Sequence, residues 1–277
     1  MRLSQVSDGG VHSHIHHLKA LLETAKQIGV PKVFIHFFGD GRDTAPRSAA
    51  GYMKDLLDFI ALPENGVGQI ATVVGRYYAM DRDKRWERVK LAVDGLVGGE
   101  GEASEDPVAT IEKKYEADET DEFLKPIIVG GKESRIQDDD TLFFFNYRSD
   151  RVREIVSVFG VSPPPMEVTV PKNLNITTMS RYNSEFPFDI AFPPTSMDNV
   201  LAEWLAAKDI KQCHIAETEK YAHITFFFNG GVEKQFDNEV RHMIPSPKVA
   251  TYDKQPEMSV QAVADKVAEV VKTDEFE

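Results

Sequence analysis

The sequence predicts an α/β protein, and three observations carry that reading. Two continuous apolar runs, KVFIHFF (32–38) and QIATVVG (69–75), have the composition of strands buried on both faces of a parallel sheet. Between them, apolar residues recur at helical spacing. Each strand-like run then gives way to a loop rich in Gly, Asp and Arg: GDGRDT, GRYYAMDRD and, further on, FNYRSDR. Loops at the carboxyl ends of strands are where open α/β sheets bind ligands.

The elements follow in order. LSQV, near the start, is a possible short strand before SDGG. Residues 14–28 place Ile15, Leu18, Leu21, Leu22, Ala25 and Ile28 on one helical face, and Gly29 and Pro31 stop that helix. The strand at 32–38 leads through GDGRDTAPRS into a helix over 48–61, aligned on Ala49, Met53, Leu56, Leu57 and Ile60. After the strand at 69–75 and its loop, Trp86, Val89, Val93 and Leu96 mark another helix. Residues 98–140 carry less pattern: a polar turn, a short helix near 107–116, and a strand and turn in LKPIIVGG. A strand at 141–146, a helix from about 149 to 159, a Pro-rich connection VSPPPMEVTVPKN and a strand in NITTMSRY complete the first part.

IAFPPTSMDN (190–199) is the expected domain boundary, with Thr195, Ser196 and Asp198 available as helix caps. The next helix carries Val200, Leu201, Trp204 and Leu205, and HIAET (214–218) is a short strand. KYAHITFFFNGG reads equally as strand or buried helix, the Gly pair favouring a helix end. IPSPKVATYDKQPEMS is loop-rich, and Ser259 caps a helix whose apolar positions include Val260, Val263, Val267, Val270 and Val271.

Composition narrows the function classes. A net charge of −13 and a pI near 5.1 argue against a general nucleic-acid binder. No apolar run reaches the roughly 18 residues needed to span a bilayer. No signal-peptide core is visible, and the one cysteine, Cys213, excludes a disulfide within the chain, so a cytoplasmic location is expected.

Against that acidic background Arg42, Arg76, Arg82, Arg148 and Arg151 stand at strand ends. The planar donor fork of arginine suits carboxylate and phosphate, so a small polyanion is the expected ligand, the competing reading being separate surface ion pairs. Arg148 and Arg151 are expected on one face of a helix start, where the helix dipole would assist. Asp43, beside Arg42, is a candidate general base; equally it could pair with its neighbour or cap a turn. In SDGGVHSHIHH the Asp8–Gly9–Gly10 turn is expected to set His12 at the mouth of a site. A metal site from His12, His14, His16 and His17 is the alternative, weakened because helical spacing scatters the rings. Lys220, just past a strand end in AETEKYAH, could act as a point charge on a phosphate. There is no GxxxxGK, GxGxxG, G-x-S-x-G or HExxH string.

The strings SDGGVHSHIHHL, GDGRDTAP, GRYYAMDRD, FNYRSDR and AETEKYAHITFFFNGG, in that order and with SPKVATYDKQPEMS near the end, closely resemble the cofactor-independent phosphoglycerate mutases of glycolysis. The resemblance implies a three-layer α/β transferase domain over 1–194 and part of an alkaline-phosphatase-like α/β domain over 195–277. It implies interconversion of 3-phosphoglycerate and 2-phosphoglycerate through a phosphoserine, with two manganese ions, in a monomeric protein with no nucleic-acid or membrane partner. Substrate contacts would be His12, Arg42, Asp43, Arg76, Arg82, Arg148, Arg151 and Lys220, with Asp43 handling hydroxyl protons.

The family's nucleophilic Ser, its first metal-binding Asp, and its NPDMVGHTG-like and ADHGN-like metal strings have no counterpart here. The metal ligands are therefore expected outside this sequence. The 277 residues alone are expected not to turn over, and 195–277 to expose a sheet edge and apolar faces. A non-catalytic module binding a phosphorylated metabolite is the alternative function.

Overall fold

The computed structural model describes residues 2–65, 67–195 and 197–276. The chain forms two compact units, Met1–Pro193 and Pro194–Glu277.

The first unit runs β1 (Arg2–Gln5), α1 (Ile15–Gln27), β2 (Val33–Gly39), α2 (Ala49–Ala61), β3 (Gly68–Gly75), α3 (Arg76–Ala79) and α4 (Trp86–Val93), the last extended by a π-turn over Asp94–Gly98. Then come β4 (Glu102–Ala103), α5 (Pro107–Glu116), β5 (Ile127–Ile128), β6 (Thr141–Phe144), α6 (Arg153–Gly160), β7 (Asn175–Thr178) and β8 (Asp189–Ile190). The strands form one sheet in the order β4-β5-β3-β2-β1-β6-β7-β8, parallel except where β5 meets β3. From β1 the chain winds outward to β2 and β3, and later returns to place β6 on the other side of β1. That reversal makes the β1–β6 boundary a topological switch point, where a crevice opens beyond the strand ends.

Alternation along the strands builds three layers. Val6, Phe37, Val73 and Phe145 pack with Leu18, Leu22, Met53 and Leu56 of α1 and α2. Their neighbours Leu3, Phe38, Val74 and Phe144 pack with Val89, Val93, Ile155 and Val156 of α4 and α6 on the opposite face. The central strand β1 is more polar than a buried strand usually is. Ser4 and Gln5 are nonetheless buried, because Asn146 accepts from the Ser4 hydroxyl and the Gln5 N–H, and Ser13 donates to the Gln5 carbonyl at 2.5 Å.

The expected α1 face forms except at Ile28, which is 73% exposed because the helix ends at Gln27. The helix expected from 149 begins only at Arg153. The Pro-rich connection does more than link: Met166, Val168 and Val170 lie against the core. Gly75 makes a close approach, where any Cβ would meet the Glu122 carbonyl at 2.3 Å; its N–H instead donates to Leu124 O at 2.7 Å.

Helix α2 is capped from a distance. Buried Asp121 accepts from Ser48 N (2.9 Å), Ala49 N (2.8 Å) and the Tyr115 hydroxyl (2.5 Å). Replacing it leaves two helix N–H groups and a phenol without an acceptor. Asp121→Ala is therefore expected to cost this unit roughly 2–3 kcal/mol, and Asp121→Asn less. Trp86 packs in this unit and Trp204 in the other, so urea unfolding read from Trp86 in a Trp204→Phe background measures the loss. An unchanged midpoint in Asp121→Ala would show that the cap is dispensable.

The second unit contains α7 (Leu201–Ala206), β9 (Gln212–Glu217), α8 (Tyr221–Ile224), β10 (Glu239–Ile244) and α9 (Val260–Val271). β9 and β10 pair in parallel. The ambiguous KYAHITFFFNGG segment is helical turn rather than strand, closed by Gly230 and Gly231 at φ 68° and 83°. Val200 occupies the start of α7, not Thr195 or Asp198; Ser196 lies outside the described residues. Ser259 does precede α9, but its hydroxyl donates to the Pro245 carbonyl instead of capping the helix. Leu201, Trp204, Phe228, Met243, Val260 and Val271 are exposed.

Candidate functional site

Four strands of the first unit end at the same edge of the sheet, and their following loops carry the predicted residues. His12 follows β1, Arg42 and Asp43 follow β2, Arg76 and Arg82 follow β3, and Arg148 and Arg151 follow β6. The loops after β1 and β6 are joined across the switch point, since the His12 carbonyl accepts from Tyr147 N (2.9 Å) and Arg148 N (3.3 Å). The Tyr147 hydroxyl donates to the Gly10 carbonyl, and the Tyr52 hydroxyl to Asp8, so the His12 loop is held at both ends.

Arg76 is the hub. Its side chain is 2% exposed. Nη1 donates to Asp40 Oδ1 at 2.8 Å and to Asp43 Oδ2 at 2.5 Å, and Nη2 lies 3.1 Å from His12 Nε2. Asp40 is itself fixed by the Ser7 hydroxyl (2.7 Å) and by the Asp43 N–H (3.0 Å). Burial works to raise the Asp40 pKa, but these hydrogen bonds and Arg76 outweigh it, and the carboxyl is held below its usual range.

His12 is 3% exposed, the floor of the crevice rather than its mouth. Its pKa is pushed down to about 3, first by burial and then by Arg76, with Arg151 and Arg148 acting the same way against Asp150. A guanidinium only donates, so Nε2 must accept and the proton of the neutral ring sits on Nδ1. Nδ1 is buried and has no hydrogen-bond partner among the described residues; Asp150 Oδ1 lies 3.8 Å away. The site therefore offers a buried N–H donor.

Asp150 is the second hub. Arg148 Nε donates to it at 2.9 Å, Arg82 Nη1 also donates to it, and its side chain is 2% exposed. Although burial opposes ionisation, Arg82, Arg148 and His12 bring its pKa down to about 2. Arg151 donates to the Met80 carbonyl at 3.4 Å. Arg42 is the outlying member, 39% exposed and 3.6 Å from Glu122. Lys220 belongs to the second unit, exposed on a turn just after β9.

Two expectations change. Arg148 and Arg151 are not on a helix face, because α6 begins at Arg153; they sit in the loop before it. The arginines are also not an open basin of positive charge. Arg76, Arg82 and Arg148 each already hold a carboxylate, and these pairs are shared and at least partly buried rather than scattered on the surface. Sequence reasoning offers Asp150 and Glu154 as ion-pair partners of Arg148 and Arg151 in its competing reading, and Arg148 does pair with Asp150; Asp40 it passes over. The available signal for Asp40 was that it lies inside an arginine-bearing string, GDGRD.

The histidine cluster does something else. His14 Nδ1 accepts the His16 N–H at 3.2 Å at the start of α1, and the His14 ring lies 4.6 Å from that of His16. Among the described residues, no three His, Cys, Asp or Glu side chains converge as a metal site. The donor set among the described residues does not fit the pair of manganese ions that the resemblance implies. No described helix is long and apolar enough to cross a membrane.

Residues 3–184 match the family described as BPG-independent PGAM N-terminus. The chain is 55% identical over 269 residues to the 2,3-bisphosphoglycerate-independent phosphoglycerate mutase of Caenorhabditis elegans, covering 95% of this chain and 50% of that protein. It is 49% identical to the enzyme of the same name from Clostridium novyi (strain NT), covering 98% and 54%. A crystal structure of Leishmania mexicana phosphoglycerate mutase at low cobalt concentration superposes with a TM-score of 0.92 at 27% identity, over 99% of this chain and 53% of that one. The chain spans about half the length of the relatives it matches.

Proposed function

Because the chain belongs to the BPG-independent phosphoglycerate mutase family through its N-terminal residues, we propose that the first unit is the substrate-binding, transferase part of such an enzyme. Its ligand is 3-phosphoglycerate or 2-phosphoglycerate. The observation that supports this most is the buried chain Asp43–Arg76–His12 beside Asp150–Arg82/Arg148, at a switch point of an open sheet.

Phosphoglycerate carries roughly three negative charges near neutral pH, from one carboxylate and one phosphate. Arg76 is fixed by two carboxylates, so its direction is set before the ligand arrives, and little reorganisation is needed. His12 supplies a neutral donor through Nδ1. Asp43 is a carboxylate at 18% exposure with one oxygen on Arg76, open enough to take a proton from a glycerate hydroxyl. Arg42, Arg82, Arg148 and Arg151 bind phosphate and carboxylate as the ester changes position.

In this reading the second unit is a piece of an alkaline-phosphatase-like domain. The phosphoserine and the two manganese ions of the complete reaction belong to segments that this sequence does not span. A glycolytic role supports a cytoplasmic location.

Calorimetry with the 277-residue chain is expected to show binding of 3-phosphoglycerate and weaker binding at raised salt. An enolase-coupled assay with manganese and without bisphosphoglycerate is expected to show no turnover. Turnover by this chain would place the reaction centre within it. Absence of any binding would strike out the substrate assignment for the isolated chain.

A further inference from the structure

Glu154, in the first turn of α6, lies outside the ligand crevice but joins two of its walls. Its Oε1 accepts the Lys84 N–H at 2.9 Å. Lys84 has φ 55°, a left-handed conformation that is unfavourable for a non-glycine residue unless something holds it. Two residues before Lys84 is Arg82, which reaches Asp150 on the loop that leads into α6. One carboxyl group thus ties the loop after α3 to the helix that follows the β6 loop.

The other oxygen makes the arrangement unusual. Oε2 of Glu154 is buried and has no donor among the described residues. The Asp81 side chain is the nearest acid acting on the Glu154 carboxyl, and it disfavours a charge there. Asp81 is itself buried and takes three donors: Asp83 N and Arg85 N, both at 2.9 Å, and Arg88 Nη1 at 3.2 Å. Two acids meet here, and one of them must carry a proton for the contact to be favourable. Glu154 has one donor against three on Asp81, and burial makes it the acid that holds the proton.

We propose that Glu154 is a positioning residue for Arg82, acting as a neutral acid that bridges Asp81 and the Lys84 N–H and so latches the 81–85 loop to α6. Loss of that proton opens the latch and frees the loop that sets Arg82. The groups around it agree. Asp81 and Asp83 from the loop both disfavour an ionised Glu154, and burial does so most, pushing its pKa up to about 8. The cations of this region are engaged elsewhere: Arg88 with Asp81, Arg85 with Asp83 at 3.8 Å, and Arg153, next to Glu154 on its own helix, with the Tyr182 carbonyl at 2.6 Å.

The linkage has a definite sign. The folded-state pKa lies above the ordinary 4.5, so the folded chain holds this proton longer than the unfolded chain. The stabilisation is complete below about pH 4.5 and is lost as pH rises through about 8. Glu154→Gln keeps a neutral group that both donates and accepts, without a titration.

The test uses the 277-residue chain and two readouts. The first is the difference in Tm between wild type and Glu154→Gln from pH 5 to 9. It is expected to move steadily against the wild type, by several degrees, and then level off; a constant difference overturns the latch. The second is affinity for 3-phosphoglycerate, which depends on the ligand assigned above. Wild type is expected to weaken several-fold between pH 7 and 9 relative to Glu154→Gln, and Glu154→Ala to be at least tenfold weaker at both. Glu154→Ala binding as tightly as wild type overturns the positioning role. No binding by wild type strikes the ligand assignment instead, and the Tm series then decides the latch alone.

Discussion

Replacing Arg76 by alanine is expected to cost the first unit about 3–5 kcal/mol, since removing one partner from a buried ion pair strands the others. Two carboxylates, Asp40 and Asp43, would remain with no guanidinium between them, and Asp40 is almost wholly buried. Lysine is not a substitute. One ammonium cannot reproduce a fork that serves two acids through Nη1 and a histidine through Nη2. Arg76→Lys should therefore recover only part of the loss. Urea unfolding followed at Trp86 measures it, with Trp204 replaced by Phe so that one unit is read at a time.

The same variant carries a second signal. His12 is kept neutral in part by Arg76, its pKa being about 3. Without that cation and with Asp43 and Asp150 still nearby, the ring should titrate clearly higher, which the His12 proton resonances in a pH series report. Affinity for 3-phosphoglycerate should fall by more than tenfold. A stable Arg76→Ala protein with unmoved His12 would show that Arg76 is not the hub that its contacts make it.

The second large effect is expected at Asp150. This carboxylate sits between Arg82 and Arg148, with His12 at 3.8 Å. Asp150→Ala leaves two half-buried guanidiniums facing one another and should cost about 3–5 kcal/mol. Asp150→Asn keeps an acceptor and should cost less. Because the cations pull the Asp150 pKa down to about 2, its stabilisation is present above the ordinary 3.8 and is lost as pH falls towards 2. The gap between wild type and Asp150→Asn should narrow across that window. Inorganic phosphate should raise the Tm of Asp150→Ala more than that of wild type, since the stranded guanidiniums can take an external anion in place of the carboxylate. Equal shifts would mean that Asp150 does not hold these arginines.

How far the fold was legible depended on where each element is buried. β2 and β3 are buried almost throughout, so their apolar runs announced them. β4 and β8 are two-residue edge strands with no pattern of their own; they exist because a neighbouring strand offers its ladder. β10, EVRHMI, was unreadable for a related reason: only Glu239 in it is buried, and its identity as a strand comes from pairing with β9. The start of α6 was placed early because the SDR string looks like a helix start. The backbone there instead turns back to meet His12 through Tyr147 and Arg148.

The sequence by itself determined the α/β alternation, the family resemblance and the presence of arginines at strand ends, because these rest on local periodicity and short strings. Tertiary structure alone decided what those residues do to one another. The order of strands brought loops more than a hundred residues apart to one crevice. Burial made His12 a neutral donor rather than a surface imidazole. Asp40 and Asp150 became the acids that fix the arginines, and Glu154 came within reach of Asp81. Electrostatics in a low-dielectric interior depends on distance and desolvation, and neither quantity exists until the chain has folded.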